Sequence, residues 1–306
     1  MMQQFFQSFL LLSLVGAGIG IAIRLLLPRV LAWRGVWFTW HTKFGPALVF
    51  DSEDEDGTTV RLLNVGGTFQ SVCYVDEDLL WDPVCEYHRS WARVVHLAWP
   101  KNHSDCDAST PEHSALVMGG GGYSFPKWLV AYRRDFACTT VEIDPAIVRI
   151  AREHFFLNRL IESFCADQRG RLELVTDDAW SYLSSVDTCF DLIVNDAFRG
   201  NKPLGRVNTR DGVRLIHSRL TADGVYIGNV RTPLEGKGSS PLWEAADAFA
   251  RVFNYVWIIP ERPETSKKPG NNALVAAKTP LDLGTISGMV QYPREGKGED
   301  TWQTIS

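Results

Sequence analysis

Hydrophobic positions change their spacing several times along this chain, and each change marks a different kind of element. The first stretch has no period at all. Phe5 to Ile23 is nineteen residues without a charge, interrupted only by Gln7, Ser8 and Ser13, which is near the shortest length that crosses a bilayer as a helix. From Pro46 the pattern becomes that of short strands. Ala47 to Phe50, an acidic turn at Asp51 to Gly57, Thr59 to Val65, a Gly66-Gly67 turn and Phe69 to Val75 read as a small β-meander. Between Asp82 and Trp99 the apolar residues Val84, Tyr87, Trp91, Val94, Val95 and Ala98 recur at helical spacing. The polar, proline-bounded segment from Pro100 to Glu112 reads as a linker.

A regular alternation follows. Strands are predicted over Ser114 to Met118, Ala137 to Ile143, Leu172 to Thr176 and Phe190 to Asn195, separated by helices over Phe125 to Arg134, Pro145 to Phe156 and Ala179 to Ser184. Helix Thr209 to Leu220, strand Val225 to Val230, helix Pro241 to Phe253 and strands Val256 to Ile259 and Ala273 to Ala277 bring the total to seven strands. Strands alternating with helices imply a parallel sheet covered on both faces. Pro260 to Asn271 would be the loop of the last hairpin, and the residues after about Tyr292 read as a solvated tail.

Composition narrows the picture. With 306 residues, 45% apolar and 22% charged, the chain has the make-up of a folded protein with a sizeable core. Its net charge of -5 argues against a general nucleic-acid binder, which needs a basic stripe. The cysteines, Cys73, Cys85, Cys106, Cys138, Cys165 and Cys189, are scattered and sit mostly in apolar runs, as reduced cytosolic thiols do. A zinc alternative would use Cys85 with His88, His103 with Cys106, and His113, but these spacings do not complete a recognised ligand set, so no metal is expected.

Charge also orients the apolar front. No acid precedes Asp51, whereas Arg24, Arg29, Arg34 and Lys43 follow the run, so a single-pass cell-membrane anchor would leave the body in the cytoplasm. A cleaved export signal carries positive charge ahead of its apolar stretch, and Met1 to Gln4 has none. Trp33, Trp37, Phe38 and Trp40 suit either a headgroup belt or a core. Gly16 and Gly20 form a small-xxx-small pair that hints at helix pairing, and so at a homodimer.

Candidate chemistry gathers at the strand ends. Gly119-Gly120-Gly121-Gly122 directly follows a strand and precedes a helix, where a backbone without Cβ atoms lets a ligand approach closely. Glu142 lies 23 residues past Gly119 at the next strand's end, the place of an acid that accepts both hydroxyls of a ribose; its other role would be that of a helix-end acid. Asp144 and Pro145 begin the following helix. Asp178 ends the third strand, with Asp177 beside it as a helix cap. Asp196 ends the fourth and faces the crevice outside the carboxyl ends, where open α/β sheets bind ligands. Four such positions at four consecutive strand ends are far more specific than any one of them. A nicotinamide dehydrogenase fits less well, because Ser124 replaces the third glycine of the dinucleotide pattern.

The stretches LVMGGGGYS, TVEIDPAIVRIAREHF, VTDDAWSYL and FDLIVNDAF, with GGTFQS in the meander, resemble the spermidine synthases and their bacterial relatives over roughly Ala47 to Lys278. The resemblance implies a Rossmann-like, methyltransferase-type seven-stranded sheet preceded by the meander and the hydrophobic helix. Divided accordingly, residues 1–44 would be anchor and interfacial segment, 45–110 meander and connecting helix, 111–291 the adenosyl-binding catalytic domain and 292–306 a flexible tail. It further implies a transferase that moves an aminopropyl group from decarboxylated S-adenosylmethionine to a small amine acceptor. Gln70 would lie over the cofactor, the glycine turn (Gly119 to Gly122) and Glu142 would hold its ribose side, Asp178 and Ala179 would meet adenine, and Asp196 would be the acid at the reacting amine.

Three departures accompany the resemblance. Gly122 stands where the family has an acid, which removes a charge that would repel the carboxylate of intact S-adenosylmethionine. Asp196-Ala197-Phe198-Arg199 replaces a second acid with a cation, which points to an acceptor other than a diamine. The family's substrate-gating tyrosine would fall near Leu80, with Tyr74 or Tyr87 as substitutes. A methyltransferase using intact S-adenosylmethionine, and a membrane-tethered binding protein without turnover, are the alternative readings.

Overall fold

The structure is a computed structural model that describes residues 20–100, 111–199, 202–203 and 206–293. In chain order its elements are α1 (20–33), β1 (Trp37–Thr39), β2 (Ala47–Glu53), β3 (Thr59–Val65), β4 (Thr68–Tyr74), α2 (Glu86–Ala98), β5 (His113–Met118), α3 (Ser124–Tyr132) and β6 (Phe136–Glu142). They continue with α4 (Pro145–His154), α5 (Leu157–Phe164), β7 (Leu172–Thr176), α6 (Ala179–Ser185), β8 (Phe190–Asn195), β9 (Phe198–Arg199) and β10 (Lys202–Pro203). Last come α7 (Arg210–Ser218), β11 (Leu220–Thr232), α8 (Ser240–Ala250), β12 (Tyr255–Ile259), β13 (Gly270–Ala277) and β14 (Val290–Tyr292).

The central sheet has the order β14-β12-β13-β11-β8-β5-β6-β7. Strands β11, β8, β5, β6 and β7 run parallel, whereas β13 is antiparallel to both of its neighbours and β14 is antiparallel to β12. The last four residues of β5 and of β8 are all buried, as expected of strands covered on both faces. One face packs against α2, α3, α4 and α5 through Trp91, Phe125, Trp128, Phe155 and Leu160; the other packs against α6, α7 and α8 through Leu183, Ile216, Leu242 and Phe249. The meander β1-β2-β3-β4 is a separate antiparallel sheet whose Ala47, Val49, Leu63 and Val65 join the first of these cores.

Several expectations are corrected. Eight strands, not seven, form the central sheet among the described residues, because Val290, Gln291 and Tyr292 pair with Ile258, Trp257 and Val256 at its edge. The helix expected to reach Phe156 stops at His154, since the Phe155 carbonyl accepts the Lys127 ammonium at 2.8 Å and Phe156 turns left-handed at φ 61°. A further helix, α5, then buries Leu157 and Leu160. Trp37 and Phe38 pair with Val49 and Leu48, extending the meander, while the Trp40 Nε1 is buried. Trp33 is the belt residue that stays exposed, at 85%.

Residues 5–19 of the uncharged run, the linker residues 101–110 and the tail from 294 lie outside the described residues. Among the described residues no helix is long and apolar enough to cross a membrane, so the transmembrane expectation finds no support there.

Arg133 fixes the end of α2 against the sheet. Fully buried, its guanidinium donates to the Val95 and Trp99 carbonyls at 2.9 and 3.0 Å and pairs with Asp135. Breaking a buried charge pair from one side costs about 3–5 kcal/mol. Arg133→Met is therefore expected to lower the urea unfolding free energy by an amount in that range, and a loss below about 1 kcal/mol would show that this anchor is dispensable.

Candidate active site

At the carboxyl edge of β5 the chain makes a turn that only glycines allow. Gly119 and Gly121 have φ of 98° and 51°, and a Cβ on Gly119 would sit 2.8 Å from the Asp196 carbonyl oxygen. Glu142, at the end of β6 and 7% exposed, braces this turn. Its Oε2 accepts the Gly120 and Gly121 amides at 2.9 and 3.1 Å, and its Oε1 accepts the Asp144 amide at 3.0 Å. Asp144 in turn caps α4 by accepting the Ala146 amide at 2.9 Å. Its other oxygen accepts the Lys43 amide at 2.6 Å, while the Lys43 ammonium donates to the Ile143 carbonyl at 2.5 Å. The segment between β1 and β2 is thus stitched to the sheet edge.

Asp178, rather than Asp177, is the cap of α6: its Oδ1 accepts the Ser181 amide and hydroxyl at 2.9 and 3.1 Å. Asp177 accepts the Asp178 amide at 2.7 Å.

These strand ends enclose a cavity of ≈ 470 Å³, within the size range of small-molecule sites. Gly119, Gly120, Gly121, Glu142, Asp178, Ala179 and Asp196 line it from the sheet; Gln70 and Ser71 line it from β4, and Lys43 and Phe44 from the stitched segment. Gly122 does not. Its amide donates to the Ser71 hydroxyl at 2.7 Å, and a Cβ there would lie 2.8 Å from Phe155 Cδ1 and 2.9 Å from Ser71 Cβ. Of the cofactor residues expected from the sequence, Gly122 alone is packed against Ser71 and Phe155 and does not line the cavity.

Asp196 is clamped from three sides. Its Oδ1 accepts the Asn229 amide at 2.9 Å; its Oδ2 lies 3.2 Å from His88 Nε2 and accepts the Tyr87 hydroxyl at 3.4 Å. Burial, followed by the charge of Asp196, holds the Tyr87 phenol well above its ordinary range, so it stays protonated and a donor. Burial and the charges of Glu261 and Asp196 push the neighbouring Cys85 thiol up to about 12. Tyr87, not Leu80 or Tyr74, is the tyrosine at the acid: Leu80 is buried, and the Tyr74 hydroxyl accepts from Arg89 at 2.9 Å.

His88 and Asn229 were not readable as partners of Asp196. The sequence offered His88 as a metal ligand beside Cys85, and Asn229 falls unremarked within the predicted strand Val225 to Val230. Among the described residues no three His, Cys, Asp or Glu side chains converge as a metal site. His113 packs on Trp99 and Phe136 instead, while His103 and Cys106 lie outside the described residues.

Residues 94–267, more than half of the chain, match the family model described as the spermine/spermidine synthase domain. A polyamine aminopropyltransferase of Oceanobacillus iheyensis is 27% identical over 53% of this chain and 30% of its own length. One of Chromobacterium violaceum is 28% identical over 57% of this chain and 59% of its own length. A probable polyamine aminopropyl transferase of Bifidobacterium longum is 26% identical over 62% and 42%. The chain therefore spans well under two thirds of the length of these curated relatives. Among solved structures, a probable spermidine synthase from Corynebacterium glutamicum aligns with a TM-score of 0.63 at 22% identity, covering 83% of each chain. A spermidine synthase in complex with the transition-state analogue AdoDATO aligns with a TM-score of 0.57 at 17% identity, covering 88% of this chain and 84% of the other. At these identities the two likenesses establish the fold.

Gly122→Asp, which would restore the missing acid, is expected to destabilise the protein by about 1–3 kcal/mol through overpacking against Ser71 and Phe155. Thermal unfolding measures this, and an unchanged melting temperature would show that position 122 has room to spare.

Proposed function

Because the chain belongs to the spermine/spermidine synthase family, we propose that its cavity holds an adenosyl sulfonium donor and that the protein transfers the donor's aminopropyl group to an amine. The carrying observation is that Gln70, the glycine turn, Glu142, Asp178 and Asp196 border one cavity although they come from five separate stretches of chain. In this reading Lys43, Phe44, Gln70 and Ser71 supply the cover of the cavity, and the strand ends from Gly119 to Asp196 its floor.

Glu142, already bonded to the glycine turn, presents the carboxylate nearest a ribose lying on that turn. Asp178 Oδ1 is committed to Ser181, so an adenine amino group would be met by the other oxygen of that carboxylate. Bound there, decarboxylated S-adenosylmethionine supplies an electrophilic methylene beside a positive sulfur. The amine must attack as the free base, yet an alkylammonium has a pKa of about 10. Asp196 is the group placed to take that proton, and the Tyr87 hydroxyl beside it offers the incoming nitrogen a second polar contact. Arg199, in place of the second acid of the family's motif, favours an acceptor other than a simple diamine.

A second reading keeps the cavity and replaces the donor by intact S-adenosylmethionine, making the protein a methyltransferase. Lys43 in the cavity wall supports it together with the lost acid at 122. An acid about 4 Å from the donor's carboxylate would cost roughly 4 kcal/mol at an effective dielectric near 20, and this chain does not impose that cost.

The apolar stretch 5–23 would attach the protein to the cell membrane, with its body on the cytoplasmic side. The part of α1 that is described leaves Ile21, Ile23, Leu25, Leu26, Val30 and Trp33 exposed. Carbonate-washed membranes are expected to retain the full-length chain; recovery in the soluble fraction would remove the anchor from this account.

Calorimetry with the two adenosyl compounds side by side discriminates the donors: tighter binding of the decarboxylated form is expected, and binding of the carboxylated form alone would overturn the aminopropyl reading. Asp196→Asn should lower turnover by about 100-fold or more while donor affinity holds, and retained turnover would take Asp196 out of the mechanism.

A further inference from the structure

We propose that Lys43 is a donor-binding residue: its ammonium gives a ribose hydroxyl oxygen of the adenosyl donor the N–H that Glu142 cannot supply. The inference rests on the donor reading given above and adds to it a side chain from the segment ahead of the first long strand.

Lys43 stands in a tight turn that is fixed from two sides. The Thr42 hydroxyl donates to the Gly45 carbonyl and accepts the Phe44 amide at 3.3 Å, and Gly45 takes a φ of 116°. A Cβ on Gly66 would lie 2.5 Å from the Phe44 carbonyl oxygen, and the Gly66 amide donates to the Pro46 carbonyl at 2.9 Å, so the turn rests on the meander. On its other side the Lys43 amide donates to Asp144 Oδ2 at 2.6 Å and the ammonium to the Ile143 carbonyl at 2.5 Å. The first of these bonds belongs to the backbone and survives any substitution of the side chain except proline. The ammonium can therefore be removed without releasing the turn.

Ile143 follows Glu142 directly, so the ammonium and that carboxylate belong to the same strand end of the cavity. Carboxylate oxygens only accept, and a ribose hydroxyl that gives its hydrogen to Glu142 keeps lone pairs on its own oxygen. Those lone pairs call for a donor. An ammonium carries three N–H groups, of which the Ile143 carbonyl takes one and, among the described residues, no carboxylate takes another. Lys43 is also the single cationic side chain among the described residues that line the cavity, and it is exposed, so an entering ligand can reach it. A charged donor on a hydroxyl oxygen makes a stronger bond than a neutral one.

Calorimetry with adenosine, 2′-deoxyadenosine and 3′-deoxyadenosine on the full-length protein and on Lys43→Met tests this without turnover. Adenosine is expected to bind the variant about 10-fold more weakly. One of the two deoxynucleosides is expected to bind both proteins alike, because it lacks the oxygen that the ammonium engages. Equal adenosine affinity in the two proteins would overturn the inference. So would the same loss for adenosine and for both deoxynucleosides, which is the mark of a distorted pocket. A loss confined to intact S-adenosylmethionine would overturn it as well, by placing the ammonium on the amino-acid carboxylate. If the wild-type protein binds neither these nucleosides nor either adenosyl compound, the donor reading fails and the inference goes with it; if it binds them and Lys43→Met binds them equally, the reading stands and the inference alone falls.

Discussion

One carboxylate sets the geometry of the site. Glu142 accepts three backbone amides, two from the glycine turn after β5 and one from the start of α4, so two adjacent strand ends are locked to each other. Hydrogen bonds to a charged acceptor contribute more than neutral ones, and a buried carboxylate with no such partners would be costly. The turn needs the support: Gly119, Gly121 and Tyr123 all have positive φ, and Tyr123 pays the penalty of a side chain in that region. Because Gly119 lies against the Asp196 backbone, the position of Asp196 follows from the same brace.

From there the site divides into two ends with different construction. The end at the glycine turn is backbone and carboxylate, shaped by the sheet and closed over by Gln70 and Ser71 from the meander. The end at Asp196 is side chain on side chain, with the carboxylate gripped by α2 and β11. Such a division lets the Asp196 end change through a few side chains while the glycine-turn end keeps its form.

The fold was legible because its signal is periodic. The buried runs of β5, β6 and β8 and the helices between them could be placed within a few residues, and Pro145 after Asp144 marked α4 as the structure has it. Local rules failed where a distant residue decides. Nothing near Phe155 in sequence announces that Lys127 takes its carbonyl and ends the helix, and a three-residue strand such as β14 exists only because β12 offers an open edge. The site followed the same division. Glycines and acids at strand ends were readable as a set, since topology alone brings strand ends together. The partners of Asp196 lie 108 residues before it and 33 after it, on elements whose rotation about their own axes no linear pattern specifies. Gly122 parts from that set in the structure for a related reason: the glycine run says that space is short, but not on which side.

The stitch from Lys43 to Ile143 and Asp144 has a practical meaning for anyone trimming this protein. A clone begun at the first long strand, where the globular body starts by sequence criteria, would discard Lys43 and Phe44 along with the apolar front. Part of the wall of the cavity would go with them, and Asp144 would lose the partner of its second oxygen. Such a product would fold with an incomplete cavity, and a failure to bind a ligand would then report the trimming instead of the protein.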